Sequence, residues 1–272
     1  MPQALDARIA PLRDGPAYEV LALRYGTCVT RRSLCFLDYG TRGEADGPQR
    51  LDFYLWVLRG DGRTVVVDTG FDRVAAAYRG RTCLIDPVQA LQLAGVDAES
   101  VELLVLTHLH YDHIGNVSRF PRASLLVHSR EIEHQLEGPR EHDPLVEAGE
   151  LEVIEQARSA GRVIEASKDG EVAPGVLALW TGGHTPGQMI IVVRGGDRPI
   201  VLASDALHLH EEFEQGRLFT PLSDAVELRA AHELLRELAR RGARIVPGHD
   251  AAVMERGTPL ASELRGVGMR VS

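Results

Sequence analysis

The sequence predicts an α/β fold in which two β-sheets lie between outer helices, within one domain spanning residues 1–272. Two observations predict it. Short apolar runs of strand length alternate with segments of helical period along the whole chain. No low-complexity tract or change in composition marks a linker, and 272 residues, 44% of them hydrophobic and 25% charged, suffice to bury one large core.

In chain order, "AYEVLALRY" (17–25) and "LDFYLWVLRG" (51–60) read as strands, the second with clear alternation. The segment between them becomes polar and glycine-rich in its second half, so it is expected to be a long loop and a wall of a binding site. "RTVVVDTG" (63–70) is a buried strand ending at Asp68. "DPVQALQLAG" (86–95) is a helix, capped by Asp86, with Pro87 in its first turn and Gly95 as its stop. "VELLVLTH" (101–108) is a continuous apolar strand, and "ASLLVHS" follows as another. A helical insert is expected at about 129–161, its second helix starting at Asp143-Pro144 and ending at Gly161. Strands follow at 176–183, 189–195 and 199–205. A helix at 223–241 has Ser223 as its cap, Gly242 as its stop and a stripe of Leu228, Ala231, Leu234, Leu235 and Leu238. "RIVPGHD" (244–250) is a last strand running into a loop.

The net charge of −9 argues against a nucleic-acid partner, because phosphate binding needs clustered basic residues, and Lys168 is the single lysine. No apolar run follows a basic start at the N-terminus, and no window has the length of a membrane span, so no membrane partner is expected. Cys28, Cys35 and Cys83 form no CxxC pair and read as free core thiols. These features fit a cytoplasmic protein.

The chemistry concentrates at "LVLTHLHYDHIGN", where His108, His110, Asp112 and His113 fall within six residues at the end of an apolar strand. In an extended segment alternate side chains share a face, so His108 and His110 can reach one ion, while Asp112 and His113 can face a second as the chain turns. Imidazole with carboxylate suits Zn²⁺ and similar first-row metals. Three more ligand types stand at later strand ends: His184 in the glycine-rich "TGGHTPGQ", Asp205 in "IVLASD" and His249 in "VPGHD". The tripeptide His-Leu-His recurs at 208–210. There His210 is expected to make a solvated pair with Glu211 and Glu212, and His208 is balanced between a site wall and an ordinary loop position. His128, His134, His142 and His232 read as structural or solvated residues without partners.

Taken in order, "HLHYDH", "GGHTPG", "ASD" and "PGH" resemble the metallo-β-lactamase superfamily of hydrolases, over most of the chain. The resemblance implies a four-layer αβ/βα sandwich with a site for two divalent metal ions, zinc by default, at one edge. It implies that His108, His110 and His184 hold the first ion, that Asp112, His113 and His249 hold the second, and that Asp205 bridges them. It places Asp68 as a carboxylate beneath the site that orients a ligand histidine. It further implies attack on a substrate carbonyl by a hydroxide shared between the ions, with no side-chain nucleophile.

Within the superfamily the chain is most similar to the N-acyl homoserine lactonase branch, by length, by its helical insert and by "DFYLWVLRGDGRTVVVDTGFD". This similarity implies opening of a small lactone, with quorum quenching as the associated role. That branch has a tyrosine three residues after the bridging aspartate; here the position is His208. His208 and Asp112 are therefore the expected catalytic side chains, with His208 able to donate from a ring nitrogen. The alternative is hydrolysis of another small ester, a thioester as in glyoxalase II, or a cyclic amide at the same site. The expected partner is a small-molecule substrate; homodimerisation is left open.

Overall fold

The computed structural model describes residues 2–138, 143–260 and 262–272. Its regular elements are α1 (Pro2–Ile9), β1 (Glu19–Arg31), β2 (Pro48–Gly60), β3 (Arg63–Val67), α2 (Arg73–Tyr78), β4 (Thr82–Cys83), α3 (Pro87–Leu93), β5 (Leu103–Val105), α4 (Tyr111–Ile114), β6 (Ser124–His128), α5 (Ser129–Ile132), α6 (Ala148–Ser159), β7 (Val163–Ala166), β8 (Gly170–Ala173), β9 (Val176–Trp180), β10 (Met189–Arg194), β11 (Pro199–Leu202), α7 (His210–Gln215), α8 (Ala225–Arg240), β12 (Arg244–Val246), β13 (Thr258–Pro259) and β14 (Gly268–Arg270). One sheet has the order β13-β14-β1-β2-β3-β5-β6-β7, with β4 added alongside β1, and the other has the order β12-β11-β10-β9-β8.

The period of two along the strands decides the layers. On β1, Val20 and Ala22 face the second sheet and pack with Val176, Ala178, Ile191 and Leu202. Leu21 and Leu23 face the other way and pack with Ala90 and Leu91 of α3 and Ile154 and Ala157 of α6. On β9, Leu177 and Leu179 turn outward onto Ala231, Leu235 and Leu238 of α8. The order is therefore helix, sheet, sheet, helix: an αβ/βα sandwich in which both sheets are buried on both faces, which is why most strands read as continuous apolar runs.

Several boundaries differ from the sequence reading. β1 does not stop at 25: Thr27–Arg31 pair with β2 through to Arg31↔Pro48, leaving the loop only 32–47. That extension rests on backbone pairing, and Val29 on it is 70% exposed, so it carries no alternation to read. β5 is three residues long rather than the eight of 101–108, because the chain leaves the ladder where the histidines begin. α6 starts at Ala148 with Glu147 as its cap residue, not at Asp143-Pro144, since the Asp143 carboxylate is occupied by the Leu145 amide. The cap of α8 is Asp224, which accepts from the Val226 and Glu227 amides, whereas the Ser223 hydroxyl donates to the Gly183 carbonyl. β7 and β8 are absent from the sequence reading; half of their residues are exposed and neither strand has a long apolar run. His142 lies outside the described residues.

The 32–47 loop has little core of its own and is held by charge. Arg217 is fully buried, stacks on Phe36 at 3.8 Å and reaches Glu44 at 3.0 Å, Glu211 at 3.2 Å and Asp38 at 3.3 Å. Arg32 pairs with the same Glu211, so the loop is tied to α7 by one shared carboxylate.

Candidate metal centre

The ends of β3, β5, β9, β11 and β12 share one edge of the sandwich, and the chain segments leaving them carry the polar residues. His108, His110, Asp112, His113, His184, Asp205, His208 and His249 are all buried there. Four overlapping groups have donor atoms within 4.8 Å of one another: His108–His110–His184, His108–His113–Asp205, Asp112–His113–His249 and His184–Asp205–His208. Asp205 stands between the sets. Its Oδ1 lies 3.0 Å from His249 Nε2 and 3.3 Å from His113 Nε2, and its Oδ2 lies 3.3 Å from His184 Nε2 and 3.1 Å from His208 Nε2.

Local structure brings these groups together. Asp68 and Ser204 are non-glycine residues in the left-handed region, with φ of 61° and 47°. Such backbone costs of order 1–3 kcal/mol and persists only where the surroundings enforce it. Both side chains meet at Thr107, whose amide and hydroxyl donate to Asp68 and whose Oγ1 lies 2.8 Å from Ser204 Oγ. Gly183 has φ 89°, and a side chain there would stand 2.5 Å from the Leu228 amide of α8, so only glycine lets the His184 turn seat against that helix. At Gly248 the obstacle is the Ser204 carbonyl, 2.6 Å from where a Cβ would lie.

The outer nitrogens define the inner ones. His184 Nδ1–H donates to the Pro221 carbonyl at 3.0 Å, and His249 Nδ1–H donates to the Asp52 carbonyl at 3.0 Å. A carbonyl can only accept, so the neutral form of each ring turns a lone pair from Nε2 toward Asp205. His113 Nδ1 bonds Asp68 Oδ2 at 2.8 Å, while the buried Nε2 atoms of His113 and His108 have no hydrogen-bond partner. His110 sits the other way, with Nδ1 2.9 Å from His184 Nε2 and Nε2 3.4 Å from Asp143. Inward lone pairs beside a carboxylate at 3.0–3.3 Å repel unless a cation lies among them. Protons cannot fill all the positions: burial, and then the neighbouring His113 and His110, hold His108 well below its ordinary range. His184 is likewise lowered, first by burial. His113 moves up, because Asp68, Asp205 and Asp112 outweigh its burial. This donor set, with outer nitrogens held by carboxylate and carbonyl, fits two divalent metal ions.

The second His-Leu-His divides. The His208 ring stacks on Phe219 at 3.9 Å and joins the site wall; burial opposes its charge, but Asp205 and Glu212 push its pKa up to about 9. His210 does not pair with Glu211 or Glu212: its Nδ1 lies 2.6 Å from Asp250, which also accepts its amide. Glu211 is taken by the arginines and Glu212 caps the Leu209 amide from a buried position. His128 has partners after all, the amide of Arg130 and the ring of Trp180, whereas the buried His232 Nε2, 3.7 Å from Glu212, has no hydrogen-bond partner among the described residues. His134 is exposed.

The sequence reading missed several contributors. Glu131 is fully buried and accepts from the amides of Leu109 and Gly187, clamping the two turns that carry His110 and His184. Thr107, Ser204, Asp143 and Arg81 were also passed over. None has a local signature; a threonine before "HLH" or one arginine among many is not distinctive.

The cleft over these residues has a volume of about 240 Å³. Leu34, Cys35, Leu51, Phe53, Phe219 and Pro221 form its apolar wall, and Thr30, Arg81 and Tyr111 add polar groups.

This fold and site define a class. The chain matches the family model described as the metallo-beta-lactamase superfamily over residues 54–249, and it belongs to that family. It is a metal-dependent hydrolase. More particularly, it is similar to an N-acyl homoserine lactonase of Bacillus sp, 25% identical over 84% of this chain and 94% of the relative. It is similar also to N-acyl homoserine lactonase AttM of Rhizobium johnstonii, 28% identical over 76% of this chain and 84% of the relative. Among solved structures, a quorum-quenching N-acyl homoserine lactone lactonase superimposes with a TM-score of 0.71 at 21% identity, covering 93% of this chain and 99% of that one. AidC, a dizinc quorum-quenching lactonase, gives 0.70 at 17% identity, covering 95% and 98%. These two share the fold. No helix among the described residues is long and apolar enough to cross a membrane.

Proposed function

We propose that this enzyme opens a small lactone to its hydroxy acid, using two divalent ions that are zinc by ligand type. The observation that carries the reading is the ring of inward imidazole lone pairs around the Asp205 carboxylate. Its curated relatives, which are lactonases, support the choice of bond. When bound, the ions supply Lewis acidity toward the carbonyl and acidify water at neutral pH. His108, His110 and His184 would hold one ion and Asp112, His113 and His249 the other, with Asp205 as the carboxylate common to both sets. Asp68 keeps the proton on His113 Nδ1, which leaves Nε2 free to ligate. His208 takes the place of the lactonase tyrosine: flat against Phe219 and beside Asp205, it presents a proton to the carbonyl or the departing oxygen. The apolar wall excludes water from the reacting face. In this reading the chain is one cytoplasmic domain over 1–272 whose insert at 129–161 flanks the cleft through Leu145.

The test is acid release from a panel of lactones, thioesters and cyclic amides by protein carrying a measured metal content. The expected result is about two ions per chain and lactones as the fastest substrates, with activity lost on chelation. Asp205→Asn and His110→Ala are expected to lower kcat/KM by at least about a hundredfold. His208→Ala should lower kcat more than His208→Tyr. Full lactonase activity in metal-free protein would sink the proposal, and unchanged kinetics in both His208 variants would remove that residue from it.

A further inference from the structure

Arg81 is the one Lys or Arg among the described residues that line the cleft. Its Nε–H donates to the Tyr111 hydroxyl at 3.0 Å, and its guanidinium lies 5.9 Å from the Phe53 ring centroid. Tyr111 stands between His110 and Asp112 in sequence, so this cation is one side chain away from the candidate metal ligands. It makes no ion pair among the described residues, in contrast to Arg79, which pairs with Glu147, and to Arg32 and Arg217. A guanidinium offers five N–H donors, and Tyr111 uses one.

A half-buried cation in a wall of Leu51, Phe53 and Cys35 is costly to leave dry and unpaired. Burial works against its charge, but Tyr111, Cys28 and Asp112 hold it protonated. A hydrocarbon tail laid over it would strip its water and return nothing. A planar oxyanion would satisfy two donors at once, in the fork geometry that distinguishes arginine from lysine. Two divalent ions held by the neighbouring donors would add positive charge and favour the same sign of ligand.

We infer that Arg81 anchors a carboxylate carried by the substrate apart from the bond that is cleaved, so that the preferred substrate is a small acidic lactone or ester rather than one with a long neutral acyl chain. This rests on the reading of the cleft as the substrate site of the metal centre. The small volume agrees with it, lying below the roughly 300–1,000 Å³ usual for ligand pockets.

The experiment is calorimetric titration of the metal-loaded protein with glutarate and with butyrate. Both can place one carboxylate on the metal centre, and only glutarate has a second for Arg81. The expected result is at least about tenfold tighter binding of glutarate, a difference that shrinks to about twofold or less in Arg81→Met and is partly kept in Arg81→Lys. Equal affinity in the unaltered protein overturns the inference. So does an equal loss for both ligands in Arg81→Met and Arg81→Lys, which would make Arg81 a brace for Tyr111. Because this is a binding measurement, a failure to hydrolyse lactones would count against the proposed function without altering what the titration says of Arg81.

Discussion

At the scale of single residues, Glu131 shows how much of this site lies beyond its ligands. Its two carboxylate oxygens serve amides from different turns, 3.1 Å to Leu109 and 2.9 Å to Gly187. Glu131→Gln keeps one acceptor and turns an NH₂ group toward the other amide. That leaves a buried N–H unpaired and is expected to cost about 1–3 kcal/mol in denaturant unfolding. Because the two turns carry His110 and His184, metal affinity should fall as well, by about 10–100-fold in competition with a chelator. Unchanged stability and metal affinity would show that the turns hold themselves. Nothing in the sequence around Glu131 marks it, since its partners are backbone groups 22 and 56 residues away. The ligands, by contrast, were legible because their chemistry belongs to the residue type: histidines at alternate positions after an apolar strand need no tertiary information to suggest a metal.

At the scale of elements, the apolar period of α8 locates it, whereas Asp143-Pro144 does not mark the start of α6. The stripe of α8 meets the outer face of β9, β10 and β11, where Leu235 is fully buried. Leu235→Ala should therefore destabilise the protein by about 2–5 kcal/mol in chemical denaturation. Metal stoichiometry should be unchanged, since the stripe is on the side of the sheet away from the other sheet; a loss of bound metal would show that α8 transmits strain to the His184 turn through Gly183. The start of α6 was misplaced because Asp-Pro serves equally well as a helix start or as a turn, and here the Asp143 side chain is claimed by Leu145 and His110. His110 beside it holds the Asp143 carboxyl well below the usual range, so it stays ionised as a partner.

At the scale of the molecule, ligands come from four stretches of chain between 108 and 249, and the site exists only when both sheets are in place. Metal binding is then coupled to folding. With free metal at about a hundred times its dissociation constant, linkage adds about 2.7 kcal/mol. For a chain of this size that raises the thermal midpoint by at least about 5 °C over chelated protein. Coincident melting curves with and without chelator would contradict a folded-state metal site.

The sequence by itself determined the layered α/β class, the polar residues that converge at one sheet edge, and the departure at His208. These follow from hydrophobic period and residue chemistry, which are local properties. Only the tertiary structure decided which nitrogen of each histidine faces inward, that Asp205 separates two sets of donors, that His208 enters the site while His210 turns to Asp250, and that Arg81 lines the cleft with no carboxylate partner among the described residues. Each of those depends on a partner distant in the chain, and a hydrogen bond or an unpaired charge is a relation between two places that neither segment records alone.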